Sequence, residues 1–234
     1  MTDEGLWLAI DGATDLASVA LGSATRVRAA PSVQGARRHA AQIVSLVQQV
    51  LEVAAARLEA LAGIVVGDGP GSFTGLRIAW AAAKALAHDR GLPVYAVPSL
   101  MAAAYTAARG EPGPIAVAFD ALRGQVFGAV YGFPPGRVET LVAPGLFTVR
   151  QLLEASPVPP VAFVADAAVA AVHAEVVRLD ALPPVAGALL ALRGLDGPVR
   201  LALDPAAEPT YGRPAEAQAK WEALHGRPLP HSPR

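Results

Sequence analysis

The sequence predicts an α/β protein in two lobes, each a mixed sheet flanked by helices, on three observations. From residue 64 to 108 a β-branched run, a glycine loop, an alanine-rich helical stretch, a second strand and a second helical stretch follow one another, the order expected of parallel strands joined by crossover helices. At His39 the apolar spacing changes to the three-to-four-residue step of a helix. A strand–turn–strand opening at residues 6–21 is echoed around Asp120.

Leu6 to Ile10 is an apolar run ended by Asp11-Gly12, and Ala17 to Leu21 returns after a polar turn through Thr14 and Asp15, the pattern of a hairpin. Arg26 to Ala30, bounded by Pro31 and Gly35, reads as a third strand. Ile43, Val44, Val47, Val50, Leu51, Ala54, Ala55 and Leu58 then share a helical spacing, with Gln42, Ser45, Gln48, Gln49 and Glu52 between them, which predicts an amphipathic helix over 39–58. Strand 64–66, helix 73–88, strand 94–97 and helix 99–108 complete the first half.

Glu111-Pro112-Gly113-Pro114 is the clearest punctuation in the chain, so the lobes are placed at 1–112 and 113–213, with a terminal helix and loose tail at 214–234. In the second lobe the expected elements are strands 115–119, 126–131 and 161–165 and helices 149–155, 167–177 and 185–192. A last helix is expected at 215–224.

Composition excludes several chemistries. Twenty acidic and nineteen basic side chains among 234 residues leave a net charge of −1, so no global field draws this protein to nucleic acid or anionic lipid. The absence of cysteine removes disulfides, thiolate metal sites and cysteine nucleophiles. Charged residues are 17% against about 25% in an ordinary domain, which leaves room for an apolar partner face. The acidic start is unlike a secretory signal, and the uncharged stretch 91–108 is broken by Pro93 and Pro98. A cytoplasmic protein without a membrane span is expected.

The loop Gly67 to Arg77 joins a strand to a helix. Such a junction aims backbone N–H groups and the positive helix end at one spot, so Asp11, Gly69, Gly71, Ser72, Thr74 and Gly75 are candidates for a phosphate or nucleotide loop. The other reading is a tight connection in which glycines permit close packing. Leu76 stands where a Walker loop needs lysine, and Gly71 is followed by three residues before Gly75 where the dinucleotide fingerprint has two. Phe73 holds the centre of Gly71 to Gly75, where a hydrolase elbow places serine. No histidine pair has helical ligand spacing, so no metal site is expected. Asp11 and Asp120 end strands at corresponding places, either as facing magnesium ligands or as caps of the turns that follow them.

Gly69-Pro70-Gly71-Ser72-Phe73-Thr74-Gly75-Leu76-Arg77-Ile78 resembles the hallmark of the TsaB (YeaZ) family of bacterial tRNA threonylcarbamoyladenosine biosynthesis. The likeness extends to Leu8-Ala9-Ile10-Asp11, Ala13-Thr14, Ser18 to Leu21, His39, Pro98-Ser99-Leu100, Asp120-Ala121, Gly124, Val126, Pro209-Thr210-Tyr211 and Arg213. The sequence departs from the family pattern at Gly12, where threonine is usual, and at Leu122, Gln125 and Phe127, where arginine, glutamate and tyrosine are common.

The resemblance implies a duplicated fold of the actin, Hsp70 and sugar-kinase (ribonuclease H-like) type. It also implies a non-catalytic subunit that dimerises with TsaD and supports its transfer of threonylcarbamoyl to the adenine beside the tRNA anticodon, with the TsaE ATPase and tRNA as further partners. By the family's pattern, helices 39–58 and 73–88 meet the partner, with His39, Ile43, Val47, Phe73, Leu76, Trp80, Ala82, Ala83 and Leu86 as interface candidates. No catalytic residue and no resident cofactor is expected. A nucleotide in the cleft and a homodimer stay open, as does a small phosphotransferase that would use Asp11, Asp120 and magnesium. Arg26, Arg28, Arg37 and Arg38 are either a solvated face or a guide for tRNA.

Overall fold

The computed structural model describes residues 5–35, 39–108, 113–173, 180–195, 199–201, 206–213 and 224–226, and of residues 39–41, 173 and 200–201 the backbone alone. Strands β1 (Leu6–Asp11) and β2 (Leu16–Gly22) form the expected hairpin, with Ile10 opposite Val19 and Asp11 opposite Ser18. Short strands β3 (Val27–Ala29) and β4 (Ser32–Gln34) both pair with β2. Helix α1 (His39–Val53) follows. It stops five residues before the predicted end, because Ala55 turns left-handed at φ 47° and Leu58 starts a separate 3-10 turn, Leu58–Ala60.

Next come β5 (Leu61–Gly67), α2 (Phe73–His88), β6 (Val94–Val97) and α3 (Ser99–Ala108). β5 runs parallel to β1, and β6 runs parallel to β5. The second sheet opens with β7 (Ile115–Asp120), β8 (Val126–Gly132) and β9 (Glu139–Phe147), a meander. Helix α4 (Val149–Ala155) carries a capping box in which Thr148 and Gln151 satisfy each other's backbone N–H. Then β10 (Ala162–Ala165), α5 (Ala167–His173), β11 (Asp180–Ala181), α6 (Ala186–Leu192) and β12 (Arg200–Leu201) complete the elements among the described residues.

The duplication expected from the echo around Asp120 is present as strand pairing. β1 is antiparallel to β2 and parallel to β5, and β7 is antiparallel to β8 and parallel to β10. β9, unforeseen in the sequence, is an edge strand in which Pro144 and Gly145 break the alternation that would have revealed it.

Five layers result. α1 and α2 cover the outer face of the first sheet through Leu8, Ile10, Val19, Ile64 and Val66. α3 and α6 fill the space between the sheets with Ala9, Val65, Leu100, Phe119, Ala129 and Leu189. α4 and α5 cover the outer face of the second sheet over Ala116, Ala118, Val130, Leu152 and Val169. The central strands are covered on both faces, so they read as continuous apolar runs.

The lobe boundary drawn at 113–213 is corrected in one respect. α6 packs on β1, β2 and β5, and β12 pairs with β6, so the chain returns to the first sheet. An Ala/Leu helix with no charged side chain suits only a site between two sheets. The predicted helix at 215–224 and the tail lie almost wholly outside the described residues. No described helix is long and apolar enough to cross a membrane.

Candidate functional site

The glycine loop is stitched to the hairpin turn. Ser72 N–H donates to the Ala13 carbonyl at 2.6 Å, Gly69 N–H to Ser99 Oγ at 3.2 Å, and Asp68 N–H to the Val97 carbonyl at 2.8 Å. Ser72 caps α2 by accepting from Gly75 N–H at 3.2 Å. A Cβ on Gly75 would fall on the Gly12 carbonyl, and one on Gly12 would stand 2.7 Å from the Gly75 carbonyl. Two backbones touch here without side chains between them, which is why both positions are glycine. The N–H groups of Asp68, Gly69, Ser72 and Gly75 are thus engaged within the protein. Of the candidate loop residues, Gly71, Ser72 and Thr74 line the cleft between the lobes, whereas Asp11, Gly69 and Gly75 sit behind it in the tight connection.

Asp11 is fully buried. Its Oδ1 accepts from Ala13 N–H at 3.1 Å and its Oδ2 from Ser99 Oγ–H at 2.6 Å. Burial pushes its pKa above the ordinary value, against the two hydrogen bonds that lower it. Ser99 thus links the hairpin turn to the glycine loop. In the sequence it stood out only as the middle residue of Pro98-Ser99-Leu100, with no sign of the contact to Asp11.

Between the lobes lies a cleft of about 980 Å³. Its first-lobe wall includes Thr14, Ser72, Phe73 and Thr74, and its second-lobe wall includes Asp120, Phe127 and Asp166, with Tyr211 and Arg213 also lining it. Asp166 Oδ2 accepts from Asp120 N–H at 2.7 Å, and its Oδ1 accepts from Val169 N–H at 3.0 Å, capping α5. Its pKa is raised first by burial, with the Asp120 charge adding to it. Asp120 Oδ1 accepts from Leu122 N–H at 2.9 Å, as the turn-cap reading requires. The facing pair of Asp11 and Asp120 is corrected: of the two only Asp120 lines the cleft, and the carboxylates that accompany it there are Asp166, which accepts from its N–H, and Asp15. An aspartate immediately before the first residue of an apolar helix, the N-cap position, was the signal that could have found it. No group of three histidines, aspartates or glutamates among the described residues is placed to hold a metal.

The helical face divides the interface candidates. Ile43, Val47, Trp80 and Ala83 are buried against their own sheet, and Leu76 is buried in the core between the sheets, as helical spacing explains: the stripe most regular in apolar residues is the one the protein's own core claims. Trp80 Nε1 donates to the Gly67 carbonyl at 3.0 Å, pinning α2 to the end of β5. Phe73 is exposed, and Ala82 and Leu86 are half-buried. The side chain of His39 lies outside the described residues, as do Arg37 and Arg38, while Arg26 and Arg28 are exposed. The outward strip that sequence reasoning missed consists of Val44 and Gln48 on α1 with Thr74, Arg77, Ala81 and Ala85 on α2.

A family model for TsaD, tRNA N6-adenosine threonylcarbamoyltransferase, matches residues 30–180. The tRNA threonylcarbamoyladenosine biosynthesis protein TsaB of Escherichia coli is 38% identical over 125 residues, 53% of this chain and 54% of its own length. TsaB of Bacillus subtilis is 37% identical over 106 residues, 45% of this chain and 46% of its own. The aligned region thus spans about half the length of these curated relatives. Among solved structures, YeaZ from Pseudomonas aeruginosa superposes with a TM-score of 0.68 at 30% identity, covering 81% of this chain and 91% of that one. An uncharacterised protein with similarity to peptidase YeaZ from Pseudomonas aeruginosa superposes at 0.71 and 28% identity, covering 89% and 100%. With the fold and 30% identity shared along 91% of YeaZ, and the glycine loop intact between β5 and α2, this chain belongs to the TsaB/YeaZ family.

Proposed function

We propose that this protein acts in tRNA threonylcarbamoyladenosine biosynthesis as a non-catalytic subunit that pairs with TsaD through the outward face of α1 and α2. The observation that carries the reading is that face. Ala81 and Ala85 are exposed on α2 with half-buried Ala82 and Leu86 beside them, and α1, which packs against α2, exposes Val44 at 55%. Small side chains let a second helix pair approach closely, and exposed valine and half-buried leucine supply the apolar contact.

The cleft supports the non-catalytic half. Two of its carboxylates, Asp120 and Asp166, accept from backbone N–H groups of the turn and helix that follow them, Asp15 lines the cleft beside them, and the one buried carboxylate at the hairpin, Asp11, is turned into the protein. TsaE and tRNA would join through the complex. The phosphotransferase alternative loses Asp11 from the cleft wall. It would return if the isolated protein hydrolysed a nucleotide and Asp120→Asn abolished that hydrolysis.

Binding to purified TsaD, followed by in vitro threonylcarbamoylation of tRNA, tests the proposal. Ala81→Arg and Ala85→Arg on the exposed strip should each weaken association at least about thirtyfold, a ~2 kcal/mol interface effect, and reduce modification in parallel. Undiminished binding by both variants refutes the placement.

A further inference from the structure

We infer that residues 207–213 form a clasp that locks the two lobes at one angle and holds the first turn of α2 in the shape a partner meets, so that cleft width and docking are coupled. The segment follows β12 of the first sheet and crosses to the second lobe, and its contacts are divided between the two. On the first lobe, Lys84 Nζ donates to the Ala207 carbonyl. Thr210 N–H donates to the Asp68 carbonyl at 2.9 Å, and Thr210 Oγ–H donates to Asp68 Oδ2 at 3.1 Å. Tyr211 packs on Phe73 with ring centroids 4.5 Å apart. On the second lobe, Arg213 Nη1 donates to the Ala121 carbonyl, and its guanidinium lies 5.9 Å from the Phe127 ring centroid.

Gly212 marks the crossing point. Its φ of +76° favours glycine, and an added Cβ would stand 2.7 Å from Pro70 of the glycine loop and 2.7 Å from Phe127 of β8. One residue is therefore wedged between the lobes, with a hydrogen-bonded anchor on either side of it. Ala207 and Tyr211 also pack at the edges of the two cores of the first sheet. Thr210 and Gly212 are exposed, and Tyr211 and Arg213 are half-buried.

The link to docking runs through Phe73. This residue is the first of α2, it is 38% exposed, the Arg77 guanidinium lies 5.3 Å from its ring centroid, and it also lines the cleft. Tyr211 holds that ring from the cleft side. A change in lobe angle that draws Tyr211 away would free Phe73 and the turn it begins. Arg77, one turn further along the exposed strip, would lose its aromatic support with it.

The docking half of this inference rests on the proposed TsaD pairing; the lobe-locking half does not. The chain has no cysteine, so Arg28→Cys and Glu154→Cys, both exposed and on opposite lobes, give a unique spin-label pair in the full-length protein. The parent should show one narrow interlobe distance. Thr210→Val with Arg213→Ala should broaden or shift it and speed amide exchange of peptide 67–76 about tenfold or more, and restoring the hydroxyl with Thr210→Ser in place of Val should recover part of both effects. An unchanged distance distribution in the folded double variant, checked by circular dichroism, overturns the clasp. A broadened distribution with undiminished TsaD binding overturns the coupling. Should the parent itself not bind TsaD, the pairing fails and the distance measurement still decides the clasp.

Discussion

The two lobes repeat one strand plan yet treat its outer face differently. The first sheet is covered by α1 and α2, of 15 and 16 residues, and the second by α5 together with α4, a helix of seven residues closed by Thr148 at one end and Ser156 at the other. The seven residues of α4 are about two turns, enough to close Leu152 over a sheet and little more. Four turns offer a second face. On α2 the inward face is Leu76, Ala79, Trp80, Ala83 and Ala87, while Arg77, Ala81, Ala85 and His88 face out. Helix length beyond what the sheet needs is surface available to something else, and α1 and α2 have it where α4 does not.

The sharpest way to break this comparison is a charge placed on either face of one helix. Ala83 has no exposed surface, so Ala83→Arg must bury an unpaired guanidinium or prise α2 from β5. It should cost several kcal/mol, about 3–5, read as a collapse of the urea midpoint. Ala81→Arg, two residues earlier and exposed, should stay within about 0.5 kcal/mol of the parent while losing the partner. Equal destabilisation by the two would mean that α2 has no free face.

A smaller effect separates the corresponding strand ends, Asp11 and Asp120. Ser99→Ala removes the hydroxyl that donates to Asp11 and accepts from Gly69 N–H, leaving a buried donor and a buried carboxylate oxygen without it. The expected loss is about 1–3 kcal/mol, with Gly69 exchange quickened. At the second lobe, Asp166→Ala removes the acceptor of Asp120 N–H and the cap of α5. Water reaches this half-exposed site, so the loss should be about 1 kcal/mol.

The fold was legible in the sequence wherever a strand is buried on both faces or a helix carries a strong apolar stripe, and both lobes' hairpins and α1 to α3 were found that way. β9 and β4 escaped because they lie outside the buried centre of their sheets, where a half-exposed strand with Pro144 has no clean period. The return of α6 and β12 to the first sheet escaped because periodicity reports a buried face and is silent on which sheet buries it. At the site, the glycine loop announced a backbone junction, and its touching backbones at Gly12 and Gly75 bear that out. The apolar stripe of α1 and α2 was legible, but Ile43, Val47, Leu76, Trp80 and Ala83 are the residues the protein's own core takes, and the quieter positions between them are the ones left at the surface.

The finest distinction between the lobes is electrostatic. Asp11 and Asp166 both have pKa values raised above the ordinary 3.8, chiefly by burial, so each binds a proton more tightly in the folded protein than in the unfolded chain. Between that ordinary value and the raised one, folding takes up protons. Stability from these groups therefore falls as pH rises through that window, and their full cost is present above it. Asp11 is wholly enclosed while Asp166 stands half-exposed at the cleft, so the first lobe should dominate the slope. Urea midpoints measured from pH 4 to pH 7 should fall less steeply in Asp11→Asn than in the parent, and Asp166→Asn should flatten the profile by less. If Asp166→Asn flattened it more, the buried aspartate of the first lobe would be the lesser charge, and the contrast drawn from Ser99 would have to be reversed.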